Sequence, residues 1–376
     1  MRPGFVGRWR RLFLAHFLIG SFFLTLSYFF LLSAQIQVTI NGRAIRVFPW
    51  IGVGRAVTAA GVFAPPGDLL DVTGKVLQAG GGRPPAYRKN SRETTPQDRL
   101  SPGDAIVVEA GEDVVESVTE ETRRQPSPLQ VEGVGAFLRV VRKGEPGEEV
   151  VARGSLSGKT KEIRIKQVAT PTVLRRFDYN LARKIAVLTF DDGPISPYTN
   201  EILAILDRYQ IKGVFFVVGR EVEAHPDLVR RIVAGNHELG NHTFSHRLSD
   251  SDEREKIAGE LSRTEEAVQR ASPGARLRWF RPPGGVLGGW ILDVAEERGY
   301  VPILWSVDSK DWGKPADGIA EKVLDEVRGG SVLLFHDGGG NREATVNALP
   351  GIIEGLKSRG YNFMTLSELF YYLGLD

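Results

Sequence analysis

The spacing of apolar residues changes several times along the chain, and each spacing predicts a different element. Residues 12–34 contain no Asp, Glu, Lys or Arg, and a helix of this length can cross a bilayer core of about 30 Å. Positive charge before this segment predicts a membrane anchor with everything after Gln35 outside the cytoplasm, whereas cleavage as a signal peptide would yield a secreted protein. The charged residues are Arg2, Arg8, Arg10 and Arg11.

Alternation of apolar and polar residues begins directly after this segment. Residues 36–40 alternate, Asn41-Gly42 can adopt the positive φ angles of a type I′ turn, and the alternation resumes at 45–47. This pattern is typical of a β-hairpin and, with the elements after it, of a small β-grasp-like module. The same module is predicted to contain a helix, a Gly- and Pro-rich exposed loop and a return strand, at 53–60, 79–104 and 105–110 respectively.

Four segments follow from these changes of pattern. Residues 116–130 are polar and contain two prolines, as expected of a linker, and a second β-rich segment follows. The region between the anchor and the last half of the chain either binds cell wall or acts as a spacer. The predicted boundaries are 1–35 for the cytoplasmic tip and anchor, 36–115 for the β-rich module, 116–172 for the linker and second β-rich segment, and 173–376 for a C-terminal domain.

The C-terminal domain repeats an order of apolar strand, loop and helix. Residues 185–190 form a continuous apolar run, which is typical of a strand covered on both faces, and 202–206 show helical spacing. Strands that alternate with helices form parallel sheets, so the sequence predicts an α/β fold, a distorted (β/α) barrel. Further strands are predicted around 214–218, 238–241, 277–280, 301–305 and 332–335.

Composition narrows the chemistry that is available to the chain. With 42% hydrophobic and 25% charged residues the protein is expected to fold, and its net charge of +2 gives no indication of nucleic-acid binding. Cysteine is absent, which excludes disulfide frameworks, thiolate metal sites and cysteine nucleophiles. Any metal ion must therefore be held by histidine, carboxylate or carbonyl groups.

Unusual polar residues follow the predicted strands at the points where the strands end. In a (β/α) barrel the carboxyl ends of the strands build the active site, so residues that are distant in the sequence are expected to converge at one mouth. The residues at these positions are Asp191, Asp192, His242, His246, Arg281, Asp308, Asp311, His336 and Asp337.

Two histidines and a carboxylate among these residues indicate a metal site. His242 and His246 are four residues apart, a spacing that places both imidazoles on one side of a helical turn, although structural pairs share it. With Asp192 as an oxygen ligand they would form a two-histidine, one-carboxylate site for a divalent ion, which we expect to be zinc, although other transition metals are accepted. Asp-Asp-Gly-Pro by itself is more typical of a solvated turn. His237 is interpreted as structural, because it should face away from His242.

From about Arg183 to its end, the chain resembles the NodB-homology polysaccharide deacetylases, carbohydrate esterase family 4. All five motifs of that family have counterparts in order, and agreement at five ordered sites is highly specific. The matching segments are Thr189-Phe190-Asp191-Asp192-Gly193-Pro194, His242-Thr243-Phe244-Ser245-His246, Arg281-Pro282-Pro283-Gly284, Asp308-Ser309-Lys310-Asp311-Trp312 and Leu334-Phe335-His336. The first half of the chain has no part in this resemblance.

The resemblance implies a role for each matching residue. Asp191 corresponds to the general base and His336 to the general acid, while Arg281 orients the base and Asp311 partners this arginine and tunes the acid. Gly284 departs from the family, which often has an aromatic residue there. The other implied roles are metal binding by Asp192, His242 and His246, and walls of the acetyl pocket by Trp312 and Leu334. Separately, the N–H of Gly284 or Tyr198 could stabilise the tetrahedral oxyanion.

The function implied by the resemblance is hydrolysis of an acetamide. We expect a metal-dependent hydrolase that removes N-acetyl groups from GlcNAc or MurNAc residues of a cell-envelope polysaccharide. With the enzyme held outside the membrane, peptidoglycan would be the nearest such polymer. Two alternatives remain open: an O-acetyl esterase that acts on a decorated polysaccharide with the same site, and a cell-wall-binding protein whose catalytic domain is vestigial.

Overall fold

The computed structural model describes residues 20–28 and 34–375. Most of the predicted anchor at 12–34 lies outside these residues; within the described part, residues 20–28 are helical (α1). Within the described ranges no helix combines the length and the apolar character that a membrane crossing requires. The anchor stays a prediction. The chain forms two compact units, one made of Met1–Thr122 with Val150–Arg164 and the other of Arg123–Glu149 with Ile165–Asp376.

The first unit contains the predicted hairpin. Strands β1 (Ile36–Ile40) and β2 (Arg43–Val47) pair antiparallel. The turn residues Asn41 and Gly42 have φ angles of 46° and 83°, as a type I′ turn requires. The predicted helix and return strand are confirmed as α2 (Val53–Ala59) and β7 (Ala105–Glu109), and β1 pairs parallel with β7. Apolar residues of these elements form one core.

The expected loop at 79–104 is partly wrong, because β5 (Ala86–Lys89) and β6 (Arg92–Glu93) lie within it. They complete a five-stranded sheet in the order β2-β1-β7-β5-β6. Only Tyr87 of β5 packs against the core, so the segment lacks the apolar alternation that would have predicted a strand. A second, three-stranded sheet in the order β4-β3-β8 consists of β3 (Leu69–Leu70), β4 (Val76–Gln78) and β8 (Val114–Val115).

The predicted linker at 116–130 is wrong, because β9 (Val118–Gln125) and the start of β10 (Leu129–Gly133) occupy it. The sheet β13-β12-β9 also contains β12 (Gly147–Gly154) and β13 (Thr160–Gln167). Arg153 of β12 donates two hydrogen bonds to Glu121 of β9, at 3.0 and 2.9 Å. Such bidentate pairs stabilise a strand whose polar sequence resembles a linker. A further sheet, β10-β14-β11, contains β11 (Phe137–Arg142) and β14 (Thr172–Phe177).

A parallel sheet of eight strands organises the second unit. Its strands are β15 (Ile185–Asp191), β16 (Val214–Val217), β17 (Glu238–Asn241), β18 (Trp279–Phe280), β19 (Val301–Pro302), β20 (Val307–Asp308), β21 (Ser331–His336) and β22 (Asn362–Phe363). Their order is β19-β18-β17-β16-β15-β21-β20, and β22 pairs with the beginning of β15. Within the described chain β19 and β20 do not pair with each other, so the sheet is an open half barrel. The α/β class is confirmed, and the barrel is incomplete.

Helices cover this sheet and leave the carboxyl ends of its strands open. Every residue of β15 is buried, because Leu188 and Phe190 belong to one core and Ile185 and Val187 to another. The continuous apolar run is thus explained by burial on both faces. The helices are α3 (Tyr198–Tyr209), α4 (Gly219–Ala224), α5 (Pro226–Ala234), α6 (Arg254–Ala271), α7 (Ile291–Glu297), α8 (Ala316–Glu326), α9 (Glu343–Ser358) and α10 (Leu366–Leu373), with a 3₁₀ turn at Pro283–Gly285.

Candidate active site

Two candidate catalytic residues end neighbouring strands in the middle of the sheet. Asp191 is the last residue of β15 and His336 is the last residue of β21, and the two occupy paired positions in the parallel register. Neighbouring strands lie about 4.8 Å apart and paired residues point to the same side, so a carboxylate and an imidazole face the same space. The sequence prediction that strand ends bring these residues together is confirmed.

Asp192, His242 and His246 form a cluster that fits a divalent cation. The Nε2 atoms of His246 and His242 lie 2.9 and 3.4 Å from Oδ1 of Asp192, and one ligand atom from each residue falls within 4.8 Å of the others. Among the described residues, this buried Oδ1 accepts no hydrogen bond. Burial would raise the pKa of Asp192, but the two imidazoles lower that pKa well below its usual range. A buried oxygen without a donor beside two ring nitrogens is a suitable ligand set for such a cation.

A backbone carbonyl sets the tautomer of His242. Nδ1 of His242 lies 2.6 Å from the carbonyl oxygen of Arg281. Because a carbonyl only accepts, Nδ1 must carry the proton, and the lone pair of Nε2 is directed to the cluster. The ring is therefore oriented for a cation before one binds.

The segment that carries the two histidines is not helical, so the expectation of a shared helical turn is wrong. Residues 242–246 form an irregular turn in which Thr243 and His246 have φ angles of 69° and 57°. Oγ1 of Thr243 accepts a hydrogen bond from the His246 N–H at 3.1 Å. Glu260 of α6 accepts from the N–H groups of Phe244 and Ser245 at 3.0 and 2.7 Å. These side-chain bonds replace the helical backbone bonds and bring the imidazole centroids to 5.0 Å.

Arg281 holds Asp191 from inside the half barrel. Its guanidinium is 0% exposed and donates to Oδ1 of Asp191 at 2.7 Å and to Oγ1 of Thr189 at 2.8 Å. It also donates to the carbonyl oxygens of Ile303 and Leu304 at 3.1 and 2.7 Å. Burial lowers the pKa of Arg281, and the charge of Asp191 acts in the opposite direction. A fully buried cation with this many acceptors leaves Asp191 little freedom to rotate.

Asp311 makes hydrogen bonds to His336 and not to Arg281. Its Oδ1 lies 2.7 Å from Nδ1 of His336, and its Oδ2 accepts from the His336 N–H and from Oγ1 of Thr345, both at 2.8 Å. The implied pairing of Asp311 with the arginine is wrong, because the hydrogen bonds of Arg281 are used by other acceptors. Burial would lower the pKa of His336, but the hydrogen bond and charge of Asp311 raise that pKa above its ordinary value.

The four candidate substrate residues differ in their surroundings. Leu334 is buried in β21 and faces the same side as His336, two residues later. Trp312 lies in the loop after β20 and is 62% exposed, as a ring that packs on a sugar would be. Gly284 has a φ angle of 63°, and a Cβ there would meet no atom within 4 Å. Tyr198 is the first residue of α3, where a helix offers N–H groups without intrahelical partners.

The sequence did not indicate the role of three residues that support the site through hydrogen bonds, namely Glu260, Thr189 and Asp337. Glu260 lies in a helix whose pattern predicts only packing, so no local signal marked it. Thr189 was part of a matching motif and Asp337 followed a predicted strand, but neither had an assigned role. Asp337 is buried, and burial together with the charges of Asp192 and Asp191 raises the pKa of Asp337 to about 7. His237 is structural, as predicted: it is buried, its Nδ1 accepts from the Gly213 N–H at 3.0 Å, and burial lowers its pKa to about 4.

Comparison with known proteins identifies relatives of the second unit. The family model described as "Polysaccharide deacetylase" matches residues 178–303. A peptidoglycan-N-acetylglucosamine deacetylase from Bacillus cereus is 37% identical over 192 residues, which cover 50% of this chain and 89% of the relative. A chitooligosaccharide deacetylase from Sinorhizobium fredii is 35% identical over 192 residues, covering 48% of this chain and 89% of the relative. A solved structure of a peptidoglycan N-acetylglucosamine deacetylase is 36% identical, covers 50% of this chain and 89% of that chain, and has a TM-score of 0.49.

Proposed function

The chain belongs to the polysaccharide deacetylase family, and we propose that it removes N-acetyl groups from the N-acetylglucosamine or N-acetylmuramic acid residues of peptidoglycan. The observation that carries the proposal is the pairing of Asp191 and His336 on neighbouring strand ends beside the Asp192, His242 and His246 cluster. A base, an acid and a cation site around one space are what amide hydrolysis requires. The names of the two relatives support an N-acetylated glycan as the substrate.

We assign the proton transfers to residues of the chain itself. A divalent cation held by Asp192, His242 and His246 would polarise the acetyl carbonyl and acidify water. Asp191, held by Arg281, accepts the proton of the water that attacks the carbonyl carbon. His336 then donates a proton to the amide nitrogen, because an amine leaves poorly as an anion. Asp311 keeps the His336 ring in place through Nδ1 and leaves Nε2 for this donation.

The proposal is tested by assaying acetate released by the purified full-length chain with zinc. Substrates are N-acetylglucosamine oligomers and peptidoglycan, and the matched control is Asp191→Asn. We expect acetate from at least one glycan with the unaltered chain and a loss of about 10²–10⁴-fold with the variant. Equal release by both proteins from every N-acetylated glycan would refute the proposal and favour a vestigial site.

Hydrolysis of an N-acetyl amide depends more strongly on a general acid than hydrolysis of an O-acetyl ester does, and this difference can distinguish the two activities. An alkoxide leaves more readily than an amide anion, so His336→Ala should reduce amide hydrolysis far more than ester hydrolysis. The two rates are measured on an N-acetylated oligosaccharide and on an O-acetylated polysaccharide. Activity of the unaltered chain on the ester alone would establish the esterase alternative instead.

Asp311→Asn is expected to shift the alkaline limb of the kcat–pH profile to lower pH. Asp311 raises the pKa of His336, and His336 can donate a proton only below that pKa. Without the charge and hydrogen bond of the carboxylate, only the charges of Asp191 and Asp192 oppose the effect of burial on this pKa. His336 therefore loses its proton at lower pH, and activity falls earlier as pH rises. Asn retains an acceptor for Nδ1, so the ring stays oriented. A uniform drop in kcat with an unmoved alkaline limb would contradict this role.

We further propose that the chain is membrane-anchored with the second unit outside the cytoplasm. The support is the uncharged segment at 12–34 and the arginines before it. Protease applied to intact cells should then remove the second unit, while the chain stays with the membrane fraction after a high-salt wash. Release of the chain into the medium would indicate cleavage of the segment instead.

A further inference from the structure

Asp337 makes hydrogen bonds to the residues on both sides of Asp192, the proposed cation ligand, and a third hydrogen bond to Thr199. Its backbone N–H donates to the carbonyl oxygen of Asp191 at 2.9 Å, and its Oδ1 accepts from the N–H of Gly193 at 3.0 Å. These groups lie directly before and after Asp192. Oδ2 of Asp337 accepts from Oγ1 of Thr199 at 2.6 Å. The side chain is buried, with the residue 1% exposed, and neither oxygen belongs to the cation cluster.

Asp192 has a backbone conformation that needs such support. Its φ angle is 77°, in the left-handed region that residues with a Cβ adopt only rarely. This conformation turns Oδ1 to the two imidazoles, where it accepts no hydrogen bond among the described residues. The backbone on both sides of Asp192 is held from outside the cluster, by the bonds to Asp337.

The residues after Asp337 close the space around Asp192. A Cβ on Gly338 would lie 2.2 Å from the Asp192 carbonyl oxygen, and a Cβ on Gly339 would lie 2.4 Å from Oδ2 of Asp192. Only glycine permits this approach of backbone to carboxylate. Residues 337–339 therefore pack closely against Asp192, and Asp337 is the residue of this segment that hydrogen-bonds to the backbone on both sides of Asp192.

We propose that Asp337 is a positioning residue that holds Asp192 in its left-handed conformation and thereby sets the affinity of the site for a divalent cation. The inference rests on the proposed function for the identity of the site, but it concerns binding rather than turnover. Loss of the carboxylate should let the turn at 192–193 relax and move Oδ1 away from His242 and His246.

The experiment measures zinc affinity of the metal-free full-length chain by competition with a chromophoric chelator. For Asp337→Ala we expect a Kd raised about 10- to 100-fold, the usual effect of removing a group that orients a ligand. Asp337→Asn keeps an acceptor for the Gly193 N–H and should recover most of the affinity. Thr199→Val removes the bond to Oδ2, together with the acceptor of the Ile195 N–H, but leaves both bonds beside Asp192, so it should cause a smaller rise than the alanine variant.

Glu238→Ala is the matched control, because Glu238 accepts from the Ser367 N–H at 3.1 Å and from Trp279 Nε1 at 2.7 Å at the opposite end of the sheet. It should lower the thermal unfolding midpoint without changing zinc affinity. Asp337→Ala with a lowered midpoint and an unchanged Kd would overturn the proposal. If Asp337→Ala does not fold, the other two variants decide. The proposal is overturned if Thr199→Val binds zinc as tightly as the unaltered chain while Asp337→Asn binds zinc as weakly as Asp192→Ala. It is supported if the losses of zinc affinity are graded across these variants.

The outcomes also separate this inference from the proposed function. An unaltered chain that binds zinc but releases no acetate would refute the function and leave the Asp337 comparison intact. An unaltered chain that binds no zinc would overturn the cation site and the role of Asp337 together. In an active enzyme, excess zinc should restore much of the activity of Asp337→Ala, because the base and the acid are unaltered.

Discussion

Asp191→Asn is expected to reduce kcat for release of acetate by about 10²–10⁴-fold, the range for loss of a general base. An amide oxygen can still accept the hydrogen bond from Arg281, which donates to Oδ1 at 2.7 Å in the unaltered protein. What the variant loses is the ability to take a proton from the attacking water. KM should change little, because the groups that contact the substrate are retained.

Zinc affinity and thermal stability are the controls for this variant. Asp191 lies 3.7 Å from Nε2 of His242 but is not part of the cation cluster, so zinc should bind Asp191→Asn with an affinity near that of the unaltered chain. A variant that retains more than a tenth of the activity would show that another group accepts the proton. Parallel loss of zinc binding would instead assign Asp191 to the cation site.

Asp192→Ala is the second change with a large expected effect, since it should remove both cation binding and activity. Asp192 supplies the only carboxylate of the cluster within the described residues, and its negative charge offsets that of the cation. A bound cation contributes several kcal/mol to a hydrolytic transition state, so we expect activity to fall by at least about 10³-fold. Chelation of the unaltered chain should cause a similar loss that added zinc reverses.

His237→Asn provides a comparison for the loss of a buried group that is not a ligand. His237 is buried, and its Nδ1 accepts from a backbone N–H, a bond that an asparagine oxygen can replace. Its zinc affinity should equal that of the unaltered chain. Retained zinc affinity in Asp192→Ala, or chelation without effect on activity, would argue against a metal-dependent reaction.

Local patterns in the sequence predicted the parts of the fold that bury a regular apolar face. The hairpin β1–β2 was visible because alternation and an Asn-Gly turn agree, and β15 because residues 185–190 form a continuous apolar run. Burial of all of β15 explains that run. Strands β5 and β9 were missed, since polar residues on exposed strands leave no alternation. The pairing of β9 depends on a partner far along the chain, as in the bonds between Arg153 and Glu121.

The cation cluster was predicted from residue types, but its geometry was not. A spacing of four residues suggested a helical turn for His242 and His246, whereas side-chain bonds from Thr243 and Glu260 form an irregular one. Glu260 lies 14 residues after His246, and no short motif connects them. The contact of Arg281 with Asp191 was predicted correctly. The added pairing of Arg281 with Asp311 was wrong, since the choice between two carboxylates depends on the position of the guanidinium inside the sheet.

The sequence by itself determined which residues meet at the mouth of the half barrel, because strand ends in a parallel sheet converge wherever the strands are predicted. It also determined the types of ligand and proton carrier that are available there. Only the tertiary structure decided how these residues are held. Support for Asp192 comes from Asp337 at a separation of 145 residues, and support for His242 comes from the Arg281 carbonyl at a separation of 39 residues. Such hydrogen bonds depend on distances of tenths of an ångström, which only the packed chain defines.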